Sequence, residues 1–341
     1  MDHSFELGPI RPVDEADSLL IRTTRNCPWN KCEFCVNYQG ERFSIRSVED
    51  IKRDIDEAVE YYKGHLFTSC FLQDGDSLIM KTADLLDILG YLQKRFPTLQ
   101  TISSYGRAWS MIRKSPAELQ EICSAGLNLL YCGMESGSDA VLKMMNKGVT
   151  SKEIIRAGIQ AKQAGIFLSE FVISGLGGIN LWKEHATSTA LALNEINPGK
   201  IRVLTIGVKK GSGLEKKLLV GDYSLQTEEN IIEEQKLMIE TLDGITSHYA
   251  NHHGVDLLIE AKGNLPEDKD RLISIMDRFL KLPDSDKLIF ILGRRLGMYN
   301  CLDDLNDKKR YEAVQTQFRK IDLNTHEDLE NFFHSLRARV V

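Results

Sequence analysis

Apolar positions along the first two thirds of this chain switch repeatedly between two periods. Short runs rich in β-branched and aromatic residues, at 19–24, 67–73, 101–105, 127–134, 167–174 and 201–206, read as strands. Between them apolar residues recur at helical spacing: Val48, Ile51, Ile55, Val59 and Tyr62, then Ala83, Leu86, Leu89 and Leu92. Strands alternating with helices specify parallel strands joined by crossover helices, so the pattern predicts an α/β fold. Two helix starts carry reciprocal caps, Ser115 with Pro116 and Glu118, and Thr150 with Glu153, and Gly126 and Gly165 follow as stops. From about Gly213 the alternation fades into charged helical segments at 227–242, 266–280 and 308–318, which read as a carboxy-terminal appendage.

Composition narrows the setting. At 341 residues and 42% hydrophobic content, the chain is long enough for one catalytic core plus an appendage. A formal charge of -6 gives no global basic field for nucleic acid, leaving scattered pairs such as Lys209-Lys210 and Arg294-Arg295. The amino end lacks a basic region followed by an apolar stretch, and no segment reaches the ~18 apolar residues of a membrane span, so a cytoplasmic protein without a membrane partner is expected. Seven cysteines, three of them clustered, speak for a reducing compartment, with Cys70, Cys123, Cys132 and Cys301 read as packing residues.

The cluster is Cys27, Cys32 and Cys35, in the loop that leaves the first strand. Three thiolates on one centre leave one iron of a four-iron cluster without a protein ligand. The rival readings are a zinc knuckle, which needs a fourth ligand nearby, and three buried thiols acting as small hydrophobes. No downstream CxxC partner is present, and the intervening Pro28, Asn30, Lys31 and Glu33 are not core residues.

With this loop and its strand, the run Gly-Met-Glu-Ser-Gly-Ser at 133–138 resembles the radical S-adenosylmethionine superfamily, and residues 133–150 resemble its stand-alone Fe-S oxidoreductase subgroup. The resemblance covers residues 17 to 250. It implies a partial (β/α)6 TIM-like barrel at 17–212, preceded by an extension at 1–16 and followed by a mainly helical appendage at 213–341. It also implies a 4Fe-4S cluster on Cys27, Cys32 and Cys35, and S-adenosyl-L-methionine cleaved to a 5′-deoxyadenosyl radical. A flavodoxin- or ferredoxin-type electron donor and a small-molecule substrate complete the expectation. The superfamily's spacing is three residues and then two; here four residues separate Cys27 from Cys32, and Pro28 and Asn30 are turn-compatible residues able to absorb the extra one.

Carried over position by position, the resemblance implies cofactor contacts at Phe34, Asp74, Gly75, Asp76, Ser103, Ser104, Glu135, Ser174 and Gly175. Gln73-Asp74-Gly75-Asp76 stands where the family has Gly-Gly-Glu, so Asp76 replaces a glutamate that meets the cofactor's ammonium group. The plain alternatives are a solvated acidic turn for Asp74–Asp76 and a hydrophobic cover for Phe34. Arg107 reads as a carboxylate partner or as a member of a surface ion pair, and Glu170 as a substrate contact or as a partner of Arg202. The segment 248–253, with three histidines, reads as a substrate-facing loop or a solvated turn rather than a metal site.

The leading expectation is therefore a radical enzyme that abstracts hydrogen from an unidentified substrate. A non-catalytic Fe-S carrier or sensor and a tRNA-modifying radical enzyme are the alternatives. No amino-terminal cobalamin-binding domain and no second cysteine cluster is read, which disfavours sulfur insertion.

Overall fold

The computed structural model describes residues 5–38, 40, 42–251, 254, 256–321 and 326–339. In chain order the elements are β1 (Leu19–Arg22), β2 (Thr24–Arg25), β3 (Ser44–Ile45), α1 (Val48–Tyr61), β4 (Ser69–Gln73), α2 (Thr82–Arg95), β5 (Thr101–Gly106), α3 (Ala108–Met111), α4 (Pro116–Ser124), β6 (Leu127–Glu135), α5 (Asp139–Met144), α6 (Ser151–Gln163) and β7 (Phe167–Ser174). There follow α7 (Gly178–Ile196), β8 (Lys200–Thr205), α8 (Gly213–Leu219), α9 (Glu228–Thr241), β9 (His248–Asn251), β10 (Lys262–Asn264), α10 (Lys269–Leu280), α11 (Asp284–Arg295), α12 (Lys308–Phe318) and α13 (His326–Arg337). The main sheet runs β1-β4-β5-β6-β7-β8-β9-β10, and β2 pairs with β3 apart from it. The fold is mixed α/β with a mostly parallel sheet, as the alternation predicts, and all six expected strands are present. The capping boxes at Ser115 and Thr150 form, and Gly126 and Gly165 take positive φ at the ends of their helices. The appendage is not purely helical: β9 joins β8 in parallel and β10 closes on β9 antiparallel.

The chain divides into two compact units, Met1–Met134 with Lys147–Glu170, and Glu135–Asn146 with Phe171–Val341. In the first unit the parallel register β1-β4-β5-β6 sorts side chains by parity. Leu19, Ile21, Cys70, Leu72, Ile102, Leu130 and Cys132 share one apolar face, the surface that amphipathic helices such as α1 and α2 need to cover. The alternate face carries Arg22, Phe71, Gln73, Ser103, Tyr105 and Tyr131. There the rings of Phe71, Tyr105 and Tyr131 meet edge to face, with centroids 5.1 to 6.3 Å apart. At the amino-terminal end of this face, Glu15 is buried and accepts from Ser18 (2.5 Å), Ser103 (2.8 Å) and Tyr131 (2.7 Å).

The second unit is held by a buried ion network. Arg295 pairs with both oxygens of Glu228 at 2.7 and 2.6 Å, and Arg337 Nε lies 3.6 Å from Glu228 Oε1. Burial pushes the Glu228 carboxyl up, but the two guanidiniums overcome it and hold it below the usual range. Arg294 is also buried and donates to the carbonyls of Asp256, Leu257 and Tyr299. The Arg294-Arg295 pair is thus internal and offers no basic surface to a nucleic acid. Among the described residues, no helix is long and apolar enough to cross a membrane. Glu228→Ala leaves two buried guanidiniums without their carboxylate and is expected to cost about 3–5 kcal/mol, read as a lower urea midpoint than wild type; an unchanged midpoint would mean the network is dispensable.

Candidate cofactor site

The pairing of β2 with β3 closes the cysteine segment into a loop. Asn26 (φ 68°) and Asn30 (φ 44°) both adopt the left-handed conformation, which asparagine tolerates better than most residues. Their side-chain amides donate to the same acceptor, the Tyr38 carbonyl, at 3.2 and 3.0 Å. The left-handed turn at Asn30 lies within the four-residue spacer and gives the chain a place to absorb its extra residue. Cys35 N–H donates to Cys32 O at 3.1 Å. Cys27, Cys32 and Cys35 are partly exposed thiols, not disulfides. Trp29 lies against Gly148, where a Cβ would come within 2.4 Å of the indole, and Lys31 Nζ and the Arg107 guanidinium stand 5.1 and 5.7 Å from the ring centroid. Phe34 is half-buried.

Among the described residues, no three His, Cys, Asp or Glu side chains are already gathered on a metal-sized point. The donor set nonetheless suits an iron–sulfur cluster: three soft ligands lie within nine residues of a turn-shaped loop, each reachable from solvent.

The two acids after β4 are both fully buried, which excludes a solvated turn. Asp74 Oδ2 accepts from Arg22 Nε and Nη2, at 3.0 and 2.5 Å, and from the Asn26 amide at 3.0 Å. Gly8 covers it so closely that a Cβ there would fall 1.9 Å from Asp74 Oδ1. Asp74 thereby secures the base of the loop. Gly75 packs on the loop, since a Cβ there would approach Cys27 Cα to 3.0 Å. Asp76 is different. Ser110 Oγ donates to its Oδ2, the Arg107 and Leu78 amides lie near the carboxyl, and Oδ1 receives no hydrogen bond among the described residues. Burial pushes its pKa up to about 6, against the pull of Ser110 and Arg107.

Ser103 and Ser104 point to opposite faces of β5. Ser103 donates to Glu15, and Ser104 Oγ lies 3.1 Å from the Leu72 carbonyl and 2.7 Å from Ser77 Oγ, which in turn meets Thr23 Oγ1 at 2.8 Å. Both hydroxyls are bound internally. Glu170 is buried.

The remaining expected contacts lie in the second unit. Glu135 is buried with φ 63°, an unusual conformation for a side chain of its size. The turn after it is bolted to α7: Gly137 N–H donates to Thr189 Oγ1 (2.9 Å) and Ser138 Oγ to Glu184 (2.6 Å). Ser136 Oγ meets His185 Nδ1 at 2.8 Å, and His185 Nε2 lies 3.0 Å from the Ile173 carbonyl. A carbonyl only accepts, so Nε2 carries the proton and Nδ1 accepts from Ser136. His185 thereby ties the Glu135 turn to the end of β7, and burial lowers its pKa to about 4. Gly175 N–H donates to Glu234 Oε1 (2.8 Å) and its carbonyl accepts from Tyr223 (2.6 Å), so this glycine supplies shape rather than hydrogen bonds to any ligand. Ser174 O accepts from Ile206 N at 2.9 Å. His185, Tyr223 and Glu234 escape sequence reading; the available signal is His185 and Thr189 four apart on one helix. In the histidine segment, His248 Nδ1 meets Asn264 Oδ1 at 2.8 Å, while His252 and His253 lie outside the described residues.

Residues 21–188 match the family model of the Radical SAM superfamily. An uncharacterized methyltransferase of Pyrococcus horikoshii is 30% identical over 177 residues, 50% of this chain and 36% of that protein. The cobalamin-dependent S-adenosylmethionine radical enzyme OxsB superposes with a TM-score of 0.53 at 15% identity, covering 94% of this chain and 58% of that one. Methylornithine synthase (PylB) gives 0.47 at 20% identity, covering 66% of this chain and 63% of that one. The chain thus spans less than two thirds of each of these proteins, and the likeness to OxsB is one of fold, the TIM-like α/β architecture.

Burial raises the Glu234 pKa from its ordinary 4.5 to about 8, so the folded state holds a proton that the unfolded state releases. Stability from this group is full below pH 4.5 and is lost as pH rises toward 8. Glu234→Gln is expected to gain on wild type by a few kcal/mol (roughly 1.4 per pKa unit) between pH 5 and 8.5 in urea titrations. A difference between the two proteins that stays constant with pH would show that Glu234 is ionised in the fold.

Proposed function

Since the protein belongs to the radical SAM superfamily through its domain at residues 21–188, with a 4Fe-4S cluster and S-adenosylmethionine as cofactors, we propose that Cys27, Cys32 and Cys35 are the cluster ligands. When bound, this pair supplies reductive carbon–sulfur cleavage and a 5′-deoxyadenosyl radical that removes a hydrogen atom from substrate. The chain's own residues bind and orient. Asp76 receives the ammonium group of the cofactor's methionine part, a role favoured by its buried, unsatisfied Oδ1 beside Gly75, which itself packs on Cys27. That orphaned oxygen is the observation that carries the reading. Phe34 and Gly75 shape the approach, and the cofactor contacts that the resemblance implies at Glu135, Ser174 and Gly175 belong to the same proposal. The substrate is a small molecule and the electron comes from an external flavodoxin- or ferredoxin-type donor. The core at 17–212 carries this chemistry, the appendage at 213–341 supports it, and the cytoplasm is its setting.

Methyl transfer is a second reading, favoured by the name of the Pyrococcus horikoshii relative, of which 36% is matched. A non-catalytic electron carrier is not favoured, because a carrier has no use for a buried acid with an open oxygen.

Anaerobic reconstitution with iron and sulfide, reduction and addition of S-adenosylmethionine are expected to yield 5′-deoxyadenosine, detected by mass spectrometry, and Cys32→Ala to lose cluster and product together. A loaded cluster without that product would return the carrier reading, and S-adenosylhomocysteine in its place would return methyl transfer. Because Asp76 accepts an ammonium group only when ionised, the dissociation constant for S-adenosylmethionine is expected to rise as pH falls through about 6, by up to about tenfold per pH unit. Asp76→Asn is expected to bind weakly at every pH. Wild-type affinity that is flat from pH 5 to 8 would remove Asp76 from the site.

A further inference from the structure

Tyr38 stands three residues beyond Cys35 and belongs to no motif. Its carbonyl takes the side-chain amides of Asn26 and Asn30, which bracket Cys27, so its backbone is fixed to the cysteine loop. The side chain is 6% exposed, yet its hydroxyl finds no hydrogen-bond partner among the described residues. Burial above all, then the neighbouring Asp74, Tyr105, Cys27 and Cys35, push the phenol's pKa far above its ordinary range, so it stays a neutral O–H donor. The neighbouring Asp74 does not take it: Oδ2 is filled by Arg22 and Asn26, and Oδ1 makes no hydrogen bond with the phenol.

A buried hydroxyl seeks an acceptor, and cluster sulfurs are acceptors whose hydrogen bonds favour the more negative, reduced state. We infer that the Tyr38 hydroxyl donates a hydrogen bond to a sulfur of the cluster and is a positioning residue that raises its reduction potential; this rests on the ligand assignment proposed above.

Wild type and Tyr38→Phe are reconstituted together, assayed for iron and sulfide, and titrated by electron paramagnetic resonance without S-adenosylmethionine. Equal loading with a lower midpoint potential in Tyr38→Phe is expected. Equal loading with an unchanged midpoint overturns the inference alone and leaves the ligand assignment standing. Failure of wild type to load iron overturns the ligand assignment and the inference with it. Should Tyr38→Phe not fold, pulsed electron–nuclear double resonance of wild type made with ring-deuterated tyrosine decides: a deuterium coupling to the reduced cluster supports the contact, and its absence overturns it.

Discussion

The buried pair Arg22–Asp74 is the constraint on which the first unit's chemistry depends. A carboxylate with no exposure demands compensation, and the guanidinium supplies it through two nitrogens. Asp74 also takes the Asn26 amide, fixing where the cysteine loop begins. Arg22 continues the network to Glu6, which also holds Arg25 and Arg46, and Arg46 reaches Asp54 on α1. The Arg25 hydrogen bonds are the largest influence holding the Glu6 carboxyl below its usual range, with Arg46 and Arg22 adding to them. The amino-terminal segment, the end of β1, the loop base and α1 are therefore one electrostatic assembly.

Two acids separated by one glycine meet opposite fates because their surroundings differ. Asp74 is tied to a guanidinium and a backbone amide and becomes architecture; Asp76 takes a neutral serine hydroxyl on Oδ2. Environments that push neighbouring titratable groups apart are how one short stretch of chain divides structural from chemical work.

Much of this was legible in the residues. Periodicity locates the strands because burial on both sides of a parallel sheet demands apolar runs, and the capping boxes are local enough to read directly. Asn30 was recognisable as a turn former. Less legible was anything depending on a distant partner. Ser103 looks like a polar residue at a strand end until Glu15, 88 positions earlier, is seen to claim it. Arg294-Arg295 reads as one of several scattered basic pairs until Glu228 and the carbonyls around Arg294 are in view. The strands β9 and β10 escaped notice because they are four and three residues long, too short for period two to show. His185 gave no motif at all, since its bonds run to a serine 49 residues away and to a backbone carbonyl.

Glu15 closes one end of a sheet face. Its carboxylate joins Ser18, Ser103 and Tyr131 at the amino-terminal end of the sheet face that carries the aromatic trio. Those hydroxyls are all spent on one carboxylate, so that end of the face is a sealed floor with little left to recognise a visitor. Traffic across this face is thereby one-ended: Asp76 keeps an unfilled oxygen on the side where the strands give way to the cysteine loop.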